Sequence, residues 1–168
     1  ESVGSAWFTG ITMAEAEAGD SFASRIAAIP FDESPMAMAD FFNDGHWRRS
    51  AELADFIEPA TGTRAKYQTQ IKAKYDGEAL YLNIQAFQPG SDSLMADNPN
   101  NFDQQDAVEI FLLPPGAEFQ HHLLLNPNSN LFACTEKWND GHWPMKLHPW
   151  PSNGVSHVIR YFPGFWQA

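Results

Sequence analysis

The stretch from Tyr67 to Phe87 admits few folds. Tyr67, Thr69, Ile71, Ala73 and Tyr75 are apolar or present a methyl group, and Gln68, Gln70, Lys72 and Lys74 alternate with them. That period of two belongs to a strand with one dry and one wet face. Asp76-Gly77 stands where the chain must reverse, because glycine accepts positive φ at little cost. Leu80, Leu82, Ile84 and Ala86 then supply the dry face of a return strand. The sequence predicts an antiparallel hairpin here.

More strands follow. Residues 107–113 form an apolar run closed by Pro114-Pro115-Gly116, whose prolines have no amide hydrogen to continue a ladder. Phe119, His121, Leu123 and Leu125 share one face of the next strand, opposite Gln120, His122 and Leu124. The two histidines therefore point apart and do not chelate one metal. The pattern predicts one packed and one exposed. Asn126-Pro127-Asn128-Ser129-Asn130 turns the chain into a strand at 131–135. Short strands are expected at 53–57 and 155–162, with a Pro163-Gly164 turn into another at Phe165.

The first 30 residues are less regular. Thr12-Met13-Ala14-Glu15 has capping-box spacing and predicts a short helix ending at Gly19. Residues 25–31 read as an edge strand. Residues 36–49 read as a helical or irregular crossing anchored by Phe41, Phe42 and Trp47. Trp47 is assigned to the core, since an indole this close to strands is mostly buried.

The chain has 168 residues, enough for one domain with a real core. Its formal charge of −11 disfavours nucleic acid and anionic membrane surfaces, both polyanions. No run is long and apolar enough for a helical membrane span. A single cysteine, Cys134, excludes an intrachain disulfide and leaves both reducing and oxidising compartments open. The start shows no basic region followed by an apolar run, so no signal peptide is read there.

Two polar segments carry the candidate chemistry. Residues 89–106 are rich in Asp, Asn and Ser, and Asp97, Asp103 and Asp106 are hard oxygen ligands of the kind that suit calcium, without EF-hand spacing. Residues 136–153 read as one long loop without strand periodicity, holding Trp138, Trp143 and Trp150. Loops this long in a compact domain are usually functional. A sugar ring offers an apolar C–H face and a rim of hydroxyls, so its recognition needs a flat aromatic and planar polar groups. The loop supplies both, with Asn139, Asp140 and His142 beside the indoles. Catalytic motifs are missing: there is no H-E-x-x-H, G-x-S-x-G or phosphate loop. Asp106 and Glu109 are three apart on one strand, so they point to opposite faces and cannot flank one bond.

Three segments together carry a family resemblance. Residues 66–89, the run Asp103-Gln104-Gln105-Asp106-Ala107-Val108-Glu109-Ile110-Phe111-Leu112, and Leu123-Leu124-Leu125-Asn126-Pro127-Asn128 resemble, in the same order, the family 9 carbohydrate-binding module and its family 9-like relatives. The likeness runs from about Trp47 to the end of the chain. Asn43-Asp44-Gly45-His46-Trp47 resembles a compressed form of the family's entry segment. The resemblance implies an all-β antiparallel β-sandwich of jelly-roll or immunoglobulin-like form over residues 31–168, with residues 1–30 as a leader or edge strand. It implies a non-catalytic domain of an extracellular or periplasmic protein that binds a polysaccharide or oligosaccharide between tryptophans, and structural calcium in some members. It also implies a strand continuing past residue 168. The sheet is therefore expected to lack its last strands, or to fill that slot with the N-terminal segment or by strand exchange with another copy. Two other functions stay open. DOMON-like relatives hold haem b between axial Met and His or Lys, and Met145, Lys146 and His148 with His121 or His122 offer such side chains. A structural or protein-interaction module is the other.

Overall fold

The computed structural model describes residues 28–58, 61–88, 106–113, 117–137, 147–150 and 154–168. Among them are nine strands and two short 3-10 helices, Met38–Asp40 and Asp44–Trp47. The strands are β1 (Ala51–Leu53), β2 (Thr69–Tyr75), β3 (Leu80–Phe87), β4 (Val108–Leu112), β5 (Phe119–Leu125), β6 (Leu131–Lys137), β7 (Leu147–Pro149), β8 (Arg160–Phe162) and β9 (Phe165–Gln167). They form two antiparallel sheets, ordered β1-β2-β3-β9-β8 and β4-β5-β6-β7. The expected all-β, antiparallel class is observed. The chain divides into two compact units. One, within Leu94–Ser156, holds the four-stranded sheet; the other, from Ala18–Ser93 and His157–Ala168, holds the five-stranded sheet.

In the five-stranded unit the hairpin follows the sequence pattern. Tyr75 pairs with Leu80 across an Asp76–Ala79 connection, and Gly77 takes φ 91°. The Asp76 carboxylate accepts the amides of Glu78 and Ala79, which pins the turn. Thr69, Ile71, Ala73 and Ile84 are buried as expected. The dry face fails at the hairpin tip. Tyr75 and Leu80 are exposed there, while Lys74 on the supposed wet face is buried. The reason lies upstream: Asp32 reaches Lys74 Nζ at 3.0 Å, and Phe31 pairs in parallel with Tyr75 and packs on its ring. Residues 30–32 thus dress the tip from outside, where residues 25–31 were expected as an edge strand; residues up to 27 lie outside the described residues.

Trp47 is a core residue. With Met36 and Phe41 it makes a small cluster, against which Phe42, Tyr81 and Val158 pack. Its ring meets Phe41 edge-on at 5.2 Å, and its Nε1–H donates to the Phe41 carbonyl at 2.7 Å. The crossing is built from 3-10 turns, the second capped by Asn43.

Three boundaries differ from expectation. The strand expected at 53–57 is β1, ending at Leu53, because Asp55 takes φ 59° and breaks the extended run. Only Arg160–Phe162 of 155–162 is in a ladder. The long loop is interrupted: β6 extends to Lys137, and Leu147–Pro149 pairs with it as β7. The strand expected from Phe165 is β9, which sits inside its sheet between β3 and β8, and Ala168 exchanges both backbone hydrogen bonds with Ile84. The predicted helix at Thr12–Ala18 and the Pro114-Pro115-Gly116 stop lie outside the described residues.

Candidate functional site

In the four-stranded unit the β5–β6 hairpin turns on Asn126, which is fully buried. Its side-chain oxygen accepts the Asn130 amide at 2.9 Å, and Ser129 takes the left-handed conformation at φ 65°. This turn fixes the register of β5 on β6, so His121 stands opposite Thr135 and His122 opposite Cys134. Thr135 in turn stands opposite His148 of β7.

Trp150 follows directly from β7. Its amide donates to Ala133 O at 3.2 Å, extending the β6–β7 pairing by one residue. Its half-buried ring packs on His121, with centroids 4.6 Å apart and planes tilted by 45°. Trp150 is thereby held at the rim of the sheet with part of its surface open to water.

The other candidate sugar-binding residues, Trp138, Asn139, Asp140, His142 and Trp143, lie outside the described residues. So do Asp97 and Asp103 of the calcium set. Asp106 is half-buried at the approach to β4. Among the described residues no group of three or more His, Cys, Asp or Glu is placed to hold a metal ion.

A second constellation was missed. Glu109 and Phe111 of β4 share a face, and the β4–β5 register brings Phe111 opposite His122. The Phe111 and His122 rings stack at 4.1 Å with planes 23° apart. The Glu109 carboxylate comes within 3.3 Å of His122 Nε2, both side chains being half-buried. The expectation of one packed and one exposed histidine is corrected: each imidazole is half-buried against a ring, because aromatic partners stand beside the strand on both faces. The available signal was the period-two pair Glu109 and Phe111. Their meeting with His122 depends on the β4–β5 register, which spacing alone does not reveal.

Chemically, Glu109, His122 and Phe111 offer a charged acceptor, an imidazole and a flat ring on one sheet face. Cys134 stands opposite His122, but its thiol is 1% exposed, the state of a structural cysteine rather than of an accessible nucleophile. Comparison with protein-family models, with curated proteins and with solved structures returns no match for this chain. Among the described residues no helix is long and apolar enough to cross a membrane.

Proposed function

We propose that this chain is a non-catalytic carbohydrate-binding domain of an exported protein, of the jelly-roll-like β-sandwich class. The observation that carries the reading is Trp150: an indole docked on His121 at the end of β7, partly exposed, beside the segment that also contains Trp138 and Trp143. Partly exposed indoles next to amide and carboxylate groups are what a sugar's C–H face and hydroxyl rim require. The resemblance of three segments to family 9-like modules supports the same ligand class. Calcium, where Asp97, Asp103 and Asp106 would supply oxygen ligands, belongs to this proposal as a structural ion.

Single-site sugar complexes fall at roughly −4 to −8 kcal/mol, micromolar to millimolar. Retardation in a polysaccharide affinity gel is therefore the fitting measurement. Trp138→Ala or Trp143→Ala is expected to abolish retardation, and Trp150→Ala to weaken it, with thermal midpoints little changed for the first two. Unchanged mobility of all three variants against every polysaccharide that retards the parent would overturn the assignment.

One observation favours the haem alternative. Among the described residues the buried His121 Nδ1 has no hydrogen-bond partner, a need that coordination to a haem iron would meet. Purified protein supplemented with haemin decides between the two. A Soret band lost in His121→Ala supports haem, and a spectrum of free haemin alone removes it.

A further inference from the structure

The four-stranded sheet holds a pair of side chains whose spacing is not that of an ordinary ion pair. Glu109 Oε2 and His122 Nε2 lie 3.3 Å apart, and the two side chains are only 16% and 13% exposed. A charge-assisted N–H···O bond draws such atoms to about 2.7–2.9 Å. Two ligands of one tetrahedral Zn²⁺ stand farther apart: bonds of about 2.0–2.2 Å to nitrogen and oxygen leave about 3.3–3.5 Å between them. The observed separation matches the second arrangement.

The sheet holds the pair in place. Glu109 and Phe111 alternate along β4 onto one face, and Phe111 stands opposite His122. The Phe111 ring lies 4.1 Å from the imidazole with planes 23° apart, which fixes the ring whose Nε2 meets Glu109. On β6 the same face carries Cys134, opposite His122, and Glu136, opposite Gln120. Cys134 does not join the pair, since among the described residues no three such groups converge. Register puts Glu136 one step along that face from the line through His122.

We propose that Glu109 and His122 are two ligands of a divalent transition-metal site, Zn²⁺ above all, with Glu136 at the register position for a third and water completing the shell. Imidazole nitrogen with carboxylate oxygen suits zinc and its first-row neighbours, whereas calcium takes oxygen alone. The site is therefore distinct from the calcium ligands proposed above. A chain of charge −11 draws cations to its surface. The bound metal ties β4 to β5, so its effect is on stability. Neither the sugar reading nor the haem reading bears on it.

The test uses Co²⁺ as a coloured stand-in for Zn²⁺ on the full chain. Co²⁺ is expected to give a visible d–d band that Zn²⁺ removes and excess Ca²⁺ does not. Its paramagnetism is expected to broaden the Phe111 and His122 signals before those of His46, His121 and His157. Glu109→Gln and His122→Gln are each expected to weaken Zn²⁺ binding by at least about tenfold, the least that losing a mere supporting contact costs a zinc site. Both should also abolish the rise in thermal midpoint that Zn²⁺ gives the parent. His121→Gln, on the opposite face, is expected to bind as the parent does. The broadening needs no variant, so it decides the matter should either substitution fold poorly. Absence of a d–d band, or broadening that spares Phe111 and His122, overturns the site and leaves Glu109 and His122 an ion pair. A band that survives both substitutions, or that Ca²⁺ removes, overturns it as well.

Discussion

Trp47→Ala is expected to lower the stability of the five-stranded unit by about 3–5 kcal/mol, measured as a shift in urea midpoint. The indole is only 3% exposed and fills the space between Phe41 and the sheet. Truncation removes its apolar contacts and leaves a cavity that the 3-10 turns, tied at Asn43 and Ser50, cannot fully close. It also strands the Phe41 carbonyl that now accepts from Nε1 at 2.7 Å. Trp47→Phe separates the two effects. It restores most of the apolar volume and still loses the hydrogen bond, so its expected loss is about 1–3 kcal/mol. Sugar retention should survive in whatever fraction stays folded, because this indole is buried. A loss below about 1 kcal/mol in Trp47→Ala would show that the 36–47 crossing adds little to the unit it covers.

The same residues show where the sequence was legible. Trp47 announced its burial because a large indole beside an alternating hairpin has few other places to go. The β2–β3 register followed from Asp76-Gly77, and the β5–β6 turn from Asn126-Pro127-Asn128, since both are local chemistry. What failed was set by distant chain. Lys74 looked wet until Asp32, far upstream, came to meet it. Leu80 looked dry, yet it stands opposite Tyr75 at the hairpin tip and is 40% exposed. The half-open pair Glu109 and His122 was invisible because strand register, not spacing, creates it. Of the candidate sugar site, Trp150 has a described position and the other indoles do not.

The two glutamine-bearing strands also sharpen what period two can say. Alternation over Tyr67–Tyr75 marked Gln68, Gln70, Lys72 and Lys74 as a wet face. That face is in truth divided. Lys74 is locked in an ion pair, Lys72 comes to 4.0 Å from Asp44 of the crossing, and the Gln70 amide donates to the Glu52 carboxylate. One face thus serves packing at one end and offers polar groups at the other. The division is fixed by where the 31–48 segment lies, and no local pattern encodes that.

Breaking the Lys74–Asp32 pair is the second large expected effect. Lys74 is 1% exposed, and its ammonium meets Asp32 at 3.0 Å. Arg64 and Asp55 make a pair at nearly the same distance, 3.1 Å, but in the open, at 69% and 56% exposure. The two pairs form an internal comparison in which burial differs and geometry does not. Arg64→Ala should cost no more than about 1 kcal/mol, because water screens that pair. Asp32→Asn leaves an ammonium buried without its counter-charge, a situation that costs on the order of 3–5 kcal/mol. Replacing both members by apolar residues, Asp32→Leu with Lys74→Met, should recover much of that loss, since neither charge then has to be desolvated. Acid gives the same pair a signature. The Lys74 ammonium, then the Ser34 amide, hold the Asp32 carboxyl down at about 2 from an ordinary 3.8. A depressed folded-state value stabilises fully above the unfolded value and is lost as pH falls, here between about pH 4 and pH 2. Asp76 is shifted the same way by Tyr81 O–H and the Ala79 and Glu78 amides, so it contributes to the same limb. Urea midpoints followed from neutral pH to about pH 2 should therefore fall in the parent. They should fall less in the apolar double variant, which retains only the Asp76 part. If Asp32→Asn keeps the parent's midpoint at neutral pH and its full acid limb, the buried pair is not what holds the hairpin tip.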